Sequence, residues 1–540
     1  MPRPSGVLPP VSAVYLKQGF DRLADLLAIT LGPTQGVILN DSKNRNEPQL
    51  LHDAATAARR IIALPDRRED VGAMLLRHLV WQVHEQVGDG SATTAVLAQA
   101  LLHEGTKMVA AGANVVLVLN GMRQGVATAV AALQAMAQPV TGQEELAAVA
   151  QAVTREADLS WVIGEMVSLL GLQGHIAVEN YVAPYLERVY LEGGHWPGQL
   201  ASPYLVTAQA TQRAIQQDCW VALYDGHLKE AEEVEPLLHL VAGQEIPNLL
   251  LVAHVMSTEV VNLLVGAHQH PKNKLKVVAT SIKLGGTSGQ VELDDLARLT
   301  GATLLGETVG RPLQPVTLAD LGRAKRVESD KNGLYVVQGG GDKRAIRDEI
   351  EALQAQLAAK EADDDARDGL QKRLARFSGS AGVLKIGAHT KAERQVLYRK
   401  AEQGLKAALA ALEEGVLPGG GIAFVRAAQA IDVESAVHDD EQMGLIATKK
   451  ALEAPFYRIF QNAKKPAAAV ALHDCLAAGE GYVYDVLREA IQPAHEVGVM
   501  DAAKVLRRAL ETAASGAEMA LSVDVTVLKK RPVTNVDYEP

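Results

Sequence analysis

The hydrophobic pattern of this chain changes twice along its length. From about Tyr15 to Gln138 the apolar residues recur at helical spacing, with few strand signals between them. From about Leu191 to Val337 short apolar strands alternate with helical pieces, which is typical of an α/β domain. The pattern is then helical again almost to the end. This order predicts that the two chain ends fold together and carry the middle as an insertion.

Length and composition indicate a soluble protein with several domains. The 540 residues suggest roughly three or four folded units. The formal net charge is -11 and the basic residues are scattered, which argues against nucleic acid as a partner. Because no run of about 18 apolar residues occurs, we expect no membrane contact and a cytoplasmic location. Cys219 and Cys475 lie far apart without a CxxC pattern, so neither a disulfide framework nor a zinc site is predicted.

Two strand-like segments stand apart from the helices of the chain ends. Residues Gly36 to Asp53 place two short apolar stretches around a polar tip, which predicts a projecting hairpin. Residues Ser522 to Lys529 alternate between apolar and polar side chains, as a strand does.

The most informative motif is VGDGSATT, residues Val87 to Thr94, directly before a helical stretch. Glycines beside an acid, followed by hydroxyl residues at a helix start, can present free N–H groups to a phosphate while Asp89 binds Mg²⁺. The same residues can form an ordinary turn in which Asp89 or Ser91 caps the helix. On this motif alone the two interpretations weigh about equally.

Two further glycine-containing segments could let a ligand approach the backbone. Thr30 to Pro33, TLGP, ends the first strong helix, and alone such a segment is usually a helix stop. Gly415 to Gly421, GVLPGGG, precedes an apolar helix, and alone it is more often a hinge or loop. Walker A, Rossmann, HExxH and GxSxG motifs are missing, which disfavours the familiar NTPase folds and a metabolic enzyme.

Taken together, four separated motifs resemble the group I chaperonins of the GroEL type. They are TLGP, VGDGSATTAVLAQAL, the pair KIGA and EEGVLPGGGIAF, and VMDAAKV, in this order. The resemblance covers nearly the whole chain, including ASPYL and DLGRAKRV. It implies a multidomain fold: an all-α equatorial domain with a small β-hairpin, an inserted α/β apical domain and a small α+β intermediate domain. The implied boundaries are 1–136 with 412–540 (equatorial), 137–191 with 380–411 (intermediate) and 192–379 (apical).

The resemblance also implies a nucleotide site for ATP and Mg²⁺, with K⁺ as a further candidate ion. Asp89 would be the Mg²⁺ ligand, Asp53 would lie beside the attacking water, and Asp501 would lie near the ribose. The implied cofactor-binding residues are Thr30, Leu31, Gly32, Pro33, His52, Asp89, Gly90, Ser91, Ala92, Thr93, Gly420, Asp485, Val486, Leu487 and Asp501.

Several of these positions depart from the family pattern. Gln403 stands where the family carries an aspartate that helps activate water, and an amide cannot take a proton. Since general-base assistance is worth about 100- to 10,000-fold in rate, we expect slow hydrolysis. Glu402 is adjacent but points about 100° away on a helix. His52 replaces a lysine, and Ala92 lacks a hydroxyl that the family offers. Asp485 to Leu487 replace an asparagine and two small residues.

The α/β insert carries the residues that the resemblance implies for client binding. In the family, these positions expose apolar groups to unfolded chains and to a co-chaperonin. Leucine and valine at helical spacing are usually core, but the apolar residues from Val260 to Val265 cover more of a helix than one buried stripe needs. The implied residues are Leu200, Tyr204, Leu205, Leu238, Val261 and Val265.

Two functions therefore remain open from the sequence. The first is an ATP-driven chamber, a homo-oligomeric ring, single or double, that encloses non-native polypeptides. The second is a structural or holdase subunit that binds nucleotide without productive cycling, alone or in mixed rings with regular chaperonin subunits. Gln403 favours the second function, whereas the retained Asp53 and Asp89 favour the first.

Overall fold

The chain divides into two compact units in a computed structural model. The first unit comprises Met1–Ser168 with Gln395–Pro540, and the second is Leu169–Arg394. The structure describes residues 5–34, 36–41, 49–172, 174–191, 193–209, 212–270, 275–282, 287–306, 310, 315–331, 333–358, 369–370, 373–374, 376–377 and 381–528. The division into equatorial, intermediate and apical domains stays a prediction.

The described elements follow the helix, α/β, helix order that the sequence predicts. The helices are α1 Val11–Ala28, α2 Ala54–Arg60, α3 Arg67–Val87, α4 Ser91–Ala110, α5 Val115–Met136, α6 Gln143–Thr154, α7 Ala157–Leu170, α8 Glu235–Gly243, α9 Thr258–Gln269, α10 Thr287–Thr300, α11 Lys343–Ala358, α12 Lys391–Glu414, α13 Ile422–Gln429, α14 Asp439–Ala451, α15 Ala454–Asn462, α16 Ala468–Ala478, α17 Ala494–Val497 and α18 Ala503–Leu521. The strands are β1 Ser5–Val7, β2 Ile38–Asn40, β3 Gln49–Leu51, β4 His175–Asn180, β5 Glu187–Leu191, β6 Gly193–Trp196, β7 Gln199–Leu200, β8 Ala214–Leu228, β9 Asn248–Met256, β10 Lys276–Ser281, β11 Leu304–Leu305, β12 Gly322–Ser329, β13 Leu334–Gly339, β14 Ala381–Ile386, β15 Val416–Pro418, β16 Tyr482–Asp485, β17 Ala490–Pro493, β18 Met500–Ala502 and β19 Thr526–Leu528.

Both ends of the chain build the core of the first unit, as predicted. Phe20 and Leu97 from the N-terminal helices pack in one hydrophobic cluster with Phe424 and Leu510 from the C-terminal helices. Small residues allow close helix crossings in this cluster. A side chain on Gly121 of α5 would overlap the backbone of α14, so glycine sets that spacing.

Helix α5 alone among the described helices has the length and mean hydropathy of a membrane span. Its apolar stripe, which includes Val118, Met122 and Val126, lies in the core of the first unit. Its outer side carries Arg123, which pairs with Glu518 of α18 at 2.8 Å. These contacts identify α5 as a core helix.

The predicted hairpin and terminal strand are both present, with shorter strands than expected. Strands β2 and β3 pair antiparallel, with Ile38 opposite Leu51, and the tip at 42–48 lies outside the described residues. Strand β19 pairs antiparallel with β1, with Leu528 opposite Ser5. It begins only at Thr526, because Ser522 still belongs to the end of α18.

The second unit is a sheet covered by helices on both faces. Its strand order is β6-β13-β12-β8-β9-β10-β7, with β11 beside β8 and with β8, β9 and β10 parallel. Alternate residues of β8 enter two cores: Val221 and Leu223 pack with α10, whereas Ala222 and Tyr224 pack with α8 and α9. This is the predicted α/β insert.

A separate three-stranded sheet joins the beginning and the end of the second unit. Strand β14 pairs parallel with β4, with Gly382 opposite Ile176, and antiparallel with β5, with Val383 opposite Val189. The helical segment before β14 starts with α11, and residues 359–368 lie outside the described part of the chain.

Candidate functional site

The turn between α3 and α4 leaves the start of α4 without a side-chain cap. Gly88 ends α3 with φ +76°, and Gly90 is the N-cap of α4 with φ +83°. The Ser91 hydroxyl donates instead to the carbonyl of Val80 at 3.3 Å. Neither Asp89 nor Ser91 therefore caps α4, although the sequence allowed either residue to do so. A long helix whose first N–H groups lack a side-chain partner favours an anion at this end.

Two aspartates lie close together beside this helix start. Asp89 is half-buried, and burial raises the pKa of its carboxyl, with Asp53 adding to the rise and the Gly90 N–H and Arg155 opposing it. Burial also raises the pKa of Asp501 to about 7, and Asp89 adds to that rise. Like charges brought together in a partly buried place favour a bound cation.

Magnesium fits this pair of carboxylates. Within the described ranges no cluster of three or more His, Cys, Asp or Glu side chains could hold a metal. Mg²⁺, however, is usually held by one or two carboxylates together with phosphate oxygens and waters, so a full protein cage is not needed. Asp89 would hold the ion, since it adjoins the helix start through the Gly90 backbone and interacts electrostatically with both Asp53 and Asp501.

The loop Gly419 to Gly421 has one position open to a ligand. A methyl group on Gly421 would lie 2.7 Å from the Phe456 nitrogen, so Gly421 is packed against α15. A methyl group on Gly420 would have no neighbour nearer than 4.0 Å, at the Tyr484 carbonyl and Val499. Gly420 therefore leaves a space that a side chain would fill, as close approach of a nucleoside requires.

Side chains from distant segments hold the loop Thr30 to Pro33 in place. The Asn462 amide donates to the carbonyls of Ala28 and Leu31, both at 2.8 Å. The Thr30 hydroxyl donates to Leu27 at 2.7 Å and is buried. The Arg155 guanidinium donates to the Gly32 carbonyl, also at 2.7 Å. The loop is thus more than a helix stop, because two distant side chains fix the Leu31 and Gly32 carbonyls and the Thr30 hydroxyl ties the loop to α1.

Asp53 and His52 lie between strand β3 and helix α2. The Asp53 carboxylate is the N-cap of α2 and accepts from the amides of Ala55 at 3.2 Å and Thr56 at 2.8 Å. Burial lowers the pKa of His52, and the positive charges of Lys400 and Arg155 lower it further. His52 is therefore an uncharged imidazole at neutral pH, where the resembling family has a lysine.

Helix α12 brings Gln403 to the same place. The Gln403 carbonyl lies 3.0 Å from where a methyl group on Gly88 would stand, so this turn of α12 abuts the Gly88–Asp89 turn. The departure from the family aspartate is thus located beside the other site residues. Its role in hydrolysis stays a prediction.

The three residues Asp485 to Leu487, also implied to bind the nucleotide, form a turn of their own. The Asp485 carboxylate closes its own turn by accepting from the amides of Leu487 at 2.9 Å and Arg488 at 3.2 Å. Val486 is buried, and Leu487 is 64% exposed. Nearby, the Tyr484 ring packs against Phe460 with 5.0 Å between the ring centres.

Arg155 is a site residue that sequence reasoning missed. It follows α6 and is 66 positions away from Asp89 in sequence. Its guanidinium nevertheless donates to the Gly32 carbonyl and interacts electrostatically with the Asp89 carboxylate. Burial lowers the pKa of Arg155 and Asp89 opposes that shift. A lone arginine after a helix carries no motif, so only the fold places it here.

The residues implied for client binding all belong to the second unit and differ in exposure. Tyr204 is 71% exposed, whereas Leu205 is completely buried and packs in the core under α8 and α9. The expected exposure of Leu205 is therefore wrong in this structure, because the short 3₁₀ turn that holds both residues aims them in opposite directions. The remaining implied residues, all half-buried, are Leu200, Leu238, Val261 and Val265.

The chain matches one protein family over most of its length. The model of the TCP-1/cpn60 chaperonin family matches residues 23–168 and 247–531, which include the glycine-containing loops and the aspartates of the first unit described above. The chain belongs to the TCP-1/cpn60 chaperonin family. The predicted membership and the predicted multidomain fold are thereby confirmed.

Solved structures show the same fold. This chaperonin is similar to the chaperonin gp146 from the bacteriophage EL 2 (Pseudomonas aeruginosa), crystallised in the presence of ATP-BeFx. In crystal form II the TM-score is 0.72 at 18% identity, over 97% of this chain and 99% of that chain. In crystal form I the TM-score is 0.60 at the same identity and coverage.

Proposed function

We propose that this chaperonin assembles into rings, binds ATP with Mg²⁺ in its first unit and encloses non-native polypeptides, with hydrolysis slowed at Gln403. Family membership supports the chaperone role at the coarser level. The observation that carries the nucleotide proposal is the uncapped start of α4 beside the Asp89 and Asp501 carboxylates. A phosphate chain neutralised by Mg²⁺ matches both features.

Each residue of the site has a separate part in this proposal. The N–H groups at the start of α4 bind phosphate oxygens, and Asp89 holds Mg²⁺. Gly420 leaves room for the nucleoside, and Asp501 lies within reach of its hydroxyl groups. Bound ATP supplies a phosphoanhydride whose cleavage can drive a change of shape.

Slow hydrolysis follows from the chemistry near Gln403. An amide can orient a water molecule but cannot accept its proton. Both oxygens of the Asp53 carboxylate already accept amide N–H groups of α2, so this carboxylate is engaged as the helix cap. Because position 403 offers an amide where a carboxylate would act as base, the expected cost in rate is about 100- to 10,000-fold.

Phosphate release from ATP by the purified assembly tests this proposal. Gln403→Asp should raise turnover by at least about 100-fold, because a carboxylate replaces the amide, and nucleotide binding should stay unchanged. Asp89→Ala should abolish Mg²⁺-dependent ATP binding. Gln395→Asp is a matched control, because Gln395 is an exposed glutamine on the same helix, and turnover should not change.

Two outcomes would contradict the proposal. Brisk turnover by the unmodified protein would show that another group activates water and that hydrolysis is not impaired. A protein that binds no nucleotide, with or without Mg²⁺, would leave only a structural relative of the chaperonins.

The second candidate function is a holdase or a subunit of mixed rings that binds nucleotide without cycling. The specific observations that favour it are the amide residue Gln403, whose backbone abuts the Gly88–Asp89 turn, and the lowered pKa of His52 next to Asp53. If Gln403→Asp fails to raise turnover while ATP still binds, this function is preferred. Native mass measurement of rings made with and without a regular chaperonin then separates homo-oligomers from mixed rings.

A further inference from the structure

Arg155 brings an unpaired positive charge to the candidate nucleotide site. Its guanidinium is half-buried and donates one hydrogen bond, to the Gly32 carbonyl at 2.7 Å. Across the residues that the structure describes, this is its only hydrogen bond, and no carboxylate there lies within ion-pair distance. A guanidinium offers five N–H donors in a rigid plane, so most of its donors are available to a ligand. A partly buried cation without an ion-pair partner favours an anion.

The backbone at Arg155 is also unusual for an arginine. Its φ of +59° lies in the left-handed region at the end of α6, where its amide donates to Gln151. Glycine is the usual residue at such a helix end because it adopts this conformation without strain. The fold holds a long charged side chain at a position where glycine would be less strained. Strain of this kind is retained where the side chain has a task.

The neighbours of Arg155 define which part of a nucleotide it faces. Gly32 belongs to the Thr30 to Pro33 loop, and Asp89 is the candidate Mg²⁺ ligand. The positive charge of Arg155 also lowers the pKa of His52, which is next to Asp53, the residue expected beside the attacking water. Water attacks the terminal phosphorus, so this is the terminal-phosphate side of the site. The proposed function assigns Gly420, with the Tyr484 carbonyl among its nearest neighbours, to the nucleoside instead.

We propose that Arg155 binds the terminal phosphate and makes the site prefer a nucleoside triphosphate over a diphosphate. This inference rests on the proposed function, because it requires that the site binds ATP. With His52 uncharged and the Lys400 ammonium ion-paired with Glu156 at 2.7 Å, Arg155 supplies the cation for the phosphate chain. The planar guanidinium can bind two phosphate oxygens at once, which an ammonium group cannot do in the same way.

The test is equilibrium binding of a non-hydrolysable ATP analogue and of ADP, each with Mg²⁺, to Arg155→Gly. Glycine keeps the left-handed backbone, so the variant should fold at least as well as the unmodified protein, and thermal unfolding checks this. Affinity for the ATP analogue should fall by at least about tenfold, and affinity for ADP by less than about threefold, because charge-assisted hydrogen bonds to the terminal phosphate are lost. Arg155→Lys should recover part of the loss.

Asn462→Ala is the matched control. Asn462 holds the same loop through Ala28 and Leu31 but carries no charge, so its removal should change both affinities by the same factor. Equal losses for both nucleotides in Arg155→Gly would overturn the inference and make Arg155 another loop support. Unchanged affinities would overturn it as well. An unmodified protein that binds neither nucleotide would contradict the proposed function itself. Failure of the Arg155 inference and failure of the proposed function are therefore distinguishable.

Discussion

Gly420 and Gly421 are neighbours with similar backbone conformations and opposite surroundings. Their φ angles are +68° and +81°. Gly421→Ala should destabilise the first unit by about 3 kcal/mol or more, because its methyl group would press on the backbone of Phe456. Gly420→Ala should cost only about 1 kcal/mol, the strain of a left-handed alanine, and should weaken ATP binding because it fills the open space.

Chemical denaturation and nucleotide titration of the two variants check this pair. Each variant is the control for the other, since the substitution and the backbone strain are the same. If Gly420→Ala binds ATP as tightly as the unmodified protein, the nucleoside does not approach this loop.

For individual residues, the sequence predicted which loops line the site better than which side chains surround those loops. TLGP, VGDGSATT and GVLPGGG all line one place in the first unit, because glycine at a helix boundary is a strong local signal. Whether a side chain capped α4 could not be predicted, since Asp89 and Ser91 are both good capping residues. Arg155 was missed because its importance depends on the distance to Gly32, which no local pattern encodes.

Helix α9 shows how one helix can serve both packing and binding. Val260 and Leu264 are completely buried in the core, whereas Val261 and Val265 are half-buried on the next strip of the surface. Periodicity predicted a surplus of apolar residues on this helix, and the structure confirms that part of the surplus stays accessible. It could not predict that Tyr204 is exposed while Leu205 is buried, because a 3₁₀ turn has no long pattern.

Replacing Val261 and Val265 with serine should weaken capture of a chemically denatured test protein. We expect roughly fivefold weaker binding per substitution, because each removes about 1 kcal/mol of apolar contact without opening the core. Fluorescence anisotropy of the labelled client measures this. Val470→Ser is the control, since Val470 is 61% exposed but lies in the first unit. Unchanged capture would count against α9 as a client surface, as would equal weakening by the control.

The second unit should fold without the first. Both of its hydrophobic cores are built from its own strands and helices, and β14 pairs with β4 so that its two ends meet in one sheet. A fragment of residues Leu169–Arg394 should therefore unfold cooperatively on heating, as measured by circular dichroism. Met1–Ser168 alone should show no cooperative transition, because its core lacks α13, α14 and α18.

Loss of cooperativity in the Leu169–Arg394 fragment would contradict this expectation. So would a cooperative Met1–Ser168 fragment, because it would mean that the C-terminal helices are dispensable for the first core.

The helix, α/β, helix order was predictable from periodicity alone, since the periods of helices and strands differ. The exact strand order was not, because long-range pairing leaves little trace in a single sequence.

The core that the two chain ends share also determines when the first unit can fold during translation. Helices α1 to α5 leave the ribosome early, but the partners that cover their apolar faces are encoded after an insertion of roughly 225 residues. At 5–20 residues per second, the apolar faces of the early helices stay partly exposed for roughly 10 to 45 s, while the inserted unit can already fold. Nascent copies of this chain are thus themselves aggregation-prone during that interval, and slower translation through the insertion should lower the soluble yield.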